Sequence, residues 1–93
     1  MRLEAYTASS VVAERVASRA TREYGGATIV EGTGITDEWG RETVYIVTVF
    51  TDKDFRGLQG QWEGIVRHAM LGHNEDSVLV AFDNDHLFVE RTS

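Results

Sequence analysis

Val44-Tyr45-Ile46-Val47-Thr48-Val49-Phe50 is apolar at nearly every position. Successive side chains of a strand point to opposite faces. A strand with one wet face therefore alternates apolar and polar residues, and this stretch scarcely does. It asks for cover on both sides, as strands of a fully buried sheet do. One set, Val44, Ile46, Thr48 and Phe50, meets one layer; the other, Tyr45, Val47 and Val49, meets the opposite layer. The spacing alone leaves open which set faces the helices.

Around this stretch the chain reads as five strands and two helices. Leu3 to Thr7 forms a short first strand. Thr7, Ser9 and Ser10 then offer hydroxyls to the free N–H groups of a helix start. Val12, Val16 and Ala20, flanked by Ala13, Ala17 and Tyr24, make an apolar helical stripe that ends at Gly25-Gly26. Ala27 to Thr36 is a strand interrupted by Gly32 and Gly34, which mark a bulge or a close approach of other atoms. Asp37-Glu38-Trp39-Gly40 is a polar turn, and the long strand Glu42 to Thr51 completes a hairpin.

Asp52-Lys53-Asp54 closes that strand and offers carboxylates to cap the next helix. From Phe55 the apolar residues Leu58, Trp62, Ile65, Val66, Ala69 and Met70 keep helical spacing, with Gly72 as C-cap. Gly57, Gly60 and Gly64 weaken that helix by about 1 kcal/mol each relative to alanine. They point to close packing of another backbone, or to a start later than Phe55. Ser77 to Phe82 and His86 to Glu90 are two more strands joined by an Asp83-Asn84-Asp85 turn.

The order β-α-β-β-α-β-β predicts one α+β domain spanning residues 1–93, a ferredoxin-like plait with both helices on one face of an antiparallel sheet. Its other face is then bare. Two modest helices cover one side of a sheet, so the second layer is expected from another copy of the chain. Gly32-Thr33-Gly34-Ile35-Thr36-Asp37-Glu38-Trp39-Gly40-Arg41-Glu42 resembles the hairpin of small α/β-plait proteins of the PII-like or dimeric α/β-barrel type. Asn74-Glu75-Asp76-Ser77-Val78-Leu79 is similar to a helix-to-strand junction in such a family. The resemblance implies a plait that assembles as an oligomer. It brings no catalytic or nucleotide-binding motif, so no site residue follows from it.

Composition narrows the function. The net charge of −6 opposes phosphate backbones, which disfavours general nucleic-acid binding. Arg15, Arg19 and Arg22 cluster on one helix, while Asp76, Asp83, Asp85 and Glu90 load the C-terminal part. Solubility accounts for that balance; an acidic decoy for a basic partner surface is the sharper reading. Absence of cysteine removes disulfides, thiolate zinc sites and thiol nucleophiles together. No stretch reaches the ~18 apolar residues of a membrane span, and Met1 to Tyr6 lacks the form of a signal peptide. A cytoplasmic protein without membrane contact is expected.

Chemistry-bearing residues are sparse. His68 and His73 are five apart, off a common helical face, and His86 follows with Asp83 and Asp85 nearby. No metal site is expected from that spacing, and no cofactor. His68, His73, Asp83 and His86 are the candidates for acid–base work in a helix–sheet cavity, should the chain be a small plait-type enzyme. Asp52, Asp54, Glu63, Asp83 and Asp85 lie near element ends, where capping and turn formation explain them. Gly32-x-Gly34 precedes a hairpin rather than a helix, and Lys53 is the sole lysine, so no phosphate loop is present. Ser9, Ser10 and Ser77 lack a nucleophile elbow, and capping explains them.

The reading that remains is a non-enzymatic binding or regulatory module acting as a homo-oligomer through its open sheet face. It would engage a protein partner or small ligand through the 32–42 hairpin, at Glu38, Trp39 and Arg41, or in a groove between subunits. Tryptophan and arginine are enriched among interface hot spots. A small, acidic, cysteine-free chain of this kind suits a phage or mobile-element inhibitor of a host protein.

Overall fold

The computed structural model describes residues 1–37, 40–53, 56–83 and 85–90. The elements are β1 (Arg2–Thr7), α1 (Ser10–Tyr24), β2 (Thr28–Thr36), β3 (Gly40–Phe50), α2 (Leu58–Ala69), β4 (Ser77–Phe82) and β5 (Asp85–Glu90). The strands form one antiparallel sheet in the order β2-β3-β1-β4-β5. This is an α+β architecture compatible with a plait. Among the described residues no helix is long and apolar enough to cross a membrane.

Register sorts the strands into two faces. Val47 lies opposite Ala5 and Ile29, Ala5 opposite Val80, and Val80 opposite Leu87. Leu3, Ala5, Val47, Val49, Val78, Val80, Phe82 and Val89 are all buried in one core with the apolar stripes of both helices. The Tyr45-Val47-Val49 set of the long strand therefore faces the helices, and the Val44-Ile46-Thr48-Phe50 set faces outward.

Local chemistry sets the helix ends. Ser9 caps α1, its Oγ accepting from the Val12 N–H at 3.2 Å. Gly25, at φ +92°, ends the helix in the left-handed conformation that glycine adopts at low cost. Thr7 Oγ1 accepts from the Ser9 N–H at 3.1 Å, fixing the approach to that cap, while Ser10 is already helical.

Helix α2 starts at Leu58 behind Gly57, whose φ of +94° supplies the turn, and the N-cap residue itself offers no side chain. Asp52 is exposed ahead of that turn, and Asp54 and Phe55 lie outside the described residues. The C-cap is Met70 rather than Gly72, which takes φ +80° in the following turn. Ser77 opens β4. Trp62 anchors α2 to the sheet: fully buried, it donates from Nε1 to the Glu4 carbonyl at 3.0 Å and meets the Tyr24 ring edge-on at 6.2 Å.

The glycines of β2 mark a close approach and not a bulge. Register runs unbroken from Thr28 opposite Thr48 to Thr36 opposite Gly40. A Cβ at Gly34 would stand 2.8 Å from Val44 Cγ2, so Val44 leans across this position. At Gly60 and Gly64 a Cβ would meet nothing within 4 Å. The close backbone neighbour expected there is not part of this chain's described residues.

Candidate functional site

Following the registers across the outward face gives one row: Val30 opposite Ile46, Ile46 opposite Tyr6, Tyr6 opposite Leu79, Leu79 opposite Phe88. Every strand contributes one apolar or aromatic residue, so the row crosses the whole sheet. Val30 is 50% exposed and Phe88 64%, with Phe50 at 74% near the far end of β3. Val44 extends the patch over Gly34. Aromatic and branched side chains at this density on a sheet surface have the composition of an interface centre.

A polar file crosses that row along β1. Arg2 Nε lies 3.5 Å from Glu4 Oε1, and Tyr6 follows two residues on along the same face of the strand. The Tyr6 hydroxyl is pushed above its ordinary value, first by burial, then by the nearby Glu4 charge, with Arg2 opposing. A carboxylate that keeps a paired cation is far less costly to cover than a lone one. The adjacent row is mostly small or polar: Thr28, Thr48, Glu4, Ala81 and His86.

The second feature is the β2–β3 arm. Strand β1 stops at Thr7, opposite Tyr45, so the stretch 32–36 pairs only with 40–44. Five residues at about 3.3 Å each carry this ribbon roughly 17 Å past the central strand. The 38 Å long axis of the molecule is about the length expected of the 11-residue β3. Ile35 is 70% exposed, and Gly40, Arg41, Glu42 and Thr43 are all exposed. Gly40 takes φ +72° where β3 begins, in the left-handed region that glycine adopts at low cost. Arg41 stands at the base of the turn; Glu38 and Trp39 lie outside the described residues.

The histidine and aspartate candidates scatter. His68 is exposed on α2, beside a groove of about 1090 Å³ between the helices that Arg15, Arg19 and Arg22 also line. Two of those arginines are engaged, Arg15 with the Leu71 carbonyl at 3.0 Å and Arg19 with Glu23 at 3.3 Å. His86 sits on the outward sheet face opposite Ala81, on the other side of the sheet from His68. His73 is half-buried in the turn after α2. Asp83 closes the end of β1, its Oδ1 accepting from the Arg2 N–H at 2.6 Å. Among the described residues no group of three or more His, Asp or Glu is placed to hold a metal ion.

One unanticipated contact ties the α2–β4 turn to the start of α1. Glu75 accepts from the Thr7 hydroxyl and, at 2.9 Å, from the Ala8 N–H. The polar file on β1 was equally unmarked. Its signal was the alternation Arg2, Glu4, Tyr6 against Leu3, Ala5, Thr7. Comparison with protein-family models, curated proteins and solved structures returns no match.

Proposed function

We propose that this chain is a ferredoxin-like plait, extended by β5, that acts as a non-enzymatic binding module and self-associates through its outward sheet face. Reading the sheet from β4 gives β4-β1-β3-β2, with all neighbours antiparallel. That is the order two interleaved β-α-β units produce, and it supports the assignment.

The observation that carries self-association is the five-residue row from Val30 to Phe88. A second copy is the occupant that its area fits. Five strands at about 4.8 Å spacing and six residues at about 3.3 Å project roughly 500 Å². Corrugated by side chains, this is the larger part of the ~800 Å² per partner of a standard stable interface. The module then meets a partner protein through the projecting arm, with Trp39 and Arg41 as contact residues.

Light scattering across a dilution series tests the assembly. The protein is expected as an oligomer at micromolar concentration, and Leu79→Asp as a folded monomer, because each interface would bury that charge without a partner. A monomeric wild-type chain at high micromolar concentration would remove the proposal. Trp39→Ala with Arg41→Ala is expected to leave the oligomer intact and to abolish partner capture from the native host. Unchanged capture would remove the arm from the site.

A further inference from the structure

Two glycines of α2 serve no packing need within the chain. Each costs about 1 kcal/mol against alanine in a helix interior, yet a Cβ at Gly60 or Gly64 would meet nothing within 4 Å. Gly64 opens onto the groove of about 1090 Å³ between the helices. The helices run antiparallel along it. Arg15, near the start of α1, donates to the Leu71 carbonyl beyond the end of α2 at 3.0 Å, and Tyr24, at the end of α1, donates to Gln61 near the start of α2 at 2.7 Å. That register brings Arg22 level with Gly64. Ile65 and Ala69 give the groove an apolar floor, and Leu71, 44% exposed, lies at one end.

The wall along α1 is basic. Arg15, Arg19 and Arg22 follow one another at i, i+4 and i+7, the spacing of a single helical flank. The groove takes three of the chain's nine lysines and arginines but only two of its fifteen acids, Glu14 and Glu23. In a chain of net charge −6 this is a local excess of positive charge. Glu23 is taken up by Arg19 at 3.3 Å. Arg15 keeps its charge uncompensated, because its partner is a carbonyl. Among the described residues Arg22 carries no hydrogen bond or ion pair.

We infer that this groove docks an acidic amphipathic helix from a partner protein. Acids on one flank of that helix meet the arginine wall, and its small and apolar residues come down on Gly64, Ile65 and Leu71. Charge complementarity sets the sign of the occupant, and the missing Cβ at Gly64 lets its backbone come close. An extended peptide would leave its backbone groups unpaired against helix walls, whereas a helix brings its own pairing. A free phosphate would want open backbone N–H groups, and those in mid-helix are already bonded. The groove shares no residue with the outward sheet row or the 32–42 arm, so it gives the module a second contact surface that stands whether or not the chain self-associates.

The probe is a fluorescein-labelled peptide of about 18 residues, long enough to sustain a helix. It carries three glutamates at i, i+4 and i+7, alanine and leucine on the adjoining flank, and glutamine elsewhere. Fluorescence anisotropy against the full chain is expected to give a Kd of roughly 10–100 μM, and a scrambled peptide of the same composition to bind about tenfold more weakly. Arg22→Glu should weaken the intact peptide by roughly fivefold to tenfold, since an exposed pair is lost and a repulsion of like size is gained. Gly64→Gln should weaken it as much while holding or raising the thermal midpoint, because the groove is filled and a helix glycine removed. Should Arg22→Glu lower the midpoint, Arg22→Gln takes its place with the same reading. No binding at about 1 mM peptide would overturn the proposal. Equal binding of the scrambled peptide would reduce the groove to general attraction of anions and overturn the helix as its occupant. Binding untouched by either substitution would overturn the site.

Discussion

Replacing Trp62 by phenylalanine probes the tie between α2 and the central strand. Trp62 is fully buried, and its indole N–H is held by the Glu4 carbonyl at 3.0 Å. Phenylalanine fills the proximal part of that space and leaves the rest empty. The lost ring atoms amount to about two methylene equivalents, at ~0.8 kcal/mol each. The carbonyl loses a donor, which adds about 1 kcal/mol. The sum is about 2.5 kcal/mol. For a domain of this length each kcal/mol moves the midpoint by about 4–8 °C, so melting should fall by roughly 10–20 °C. Far-ultraviolet circular dichroism during heating reads it, at one fixed protein concentration because self-association makes the midpoint concentration-dependent. Val11→Ala, on the exposed side of α1, is the control and should move little. A Trp62→Phe midpoint no lower than that control would refute the claim that the indole holds helix to sheet.

Three further predictions follow from the same structure. Gly34→Ala should destabilise the hairpin, because its methyl group would crowd Val44 Cγ2, and Val44→Ala in the same chain should restore part of the loss. Gly60→Ala and Gly64→Ala should instead raise stability, by about 1 kcal/mol each, since space is free in a helix interior; chemical denaturation distinguishes the two signs. Alkaline pH should weaken the fold. Both Tyr6 and Tyr24 hold their phenolic protons more tightly than in an unfolded chain, each mainly through burial, with a nearby glutamate adding to it. Their contribution is therefore complete below the ordinary tyrosine value of about 10 and is lost as pH rises through the raised native values. Midpoints measured across that range should decline, and less steeply in Tyr6→Phe; equal slopes would count against the raised Tyr6 value.

The elements were legible in the sequence because each is specified locally. The Val12-Val16-Ala20 stripe, Gly25 and the unbroken apolar run of β3 place a helix, its end and a long strand without knowledge of the rest. The start of α2 was less clear: Phe55 continued the apolar spacing, but Gly57 supplies a backbone conformation that ends its reach toward the N-terminus. The two-sided demand of Val44 to Phe50 also stood in the sequence, since it needs only the two-residue period of a strand.

Which side of β3 the helices take is a matter of long-range pairing. Val47 is buried because Ala5 and Ile29 flank it in register, and nothing in residues 44–50 encodes those neighbours. The row from Val30 to Phe88 likewise joins five strands spread over most of the chain, and exists only once their registers are fixed. Side-chain alternation is a local property of backbone geometry, whereas a surface is a product of how distant strands align. The first could be read one residue at a time; the second required the folded sheet.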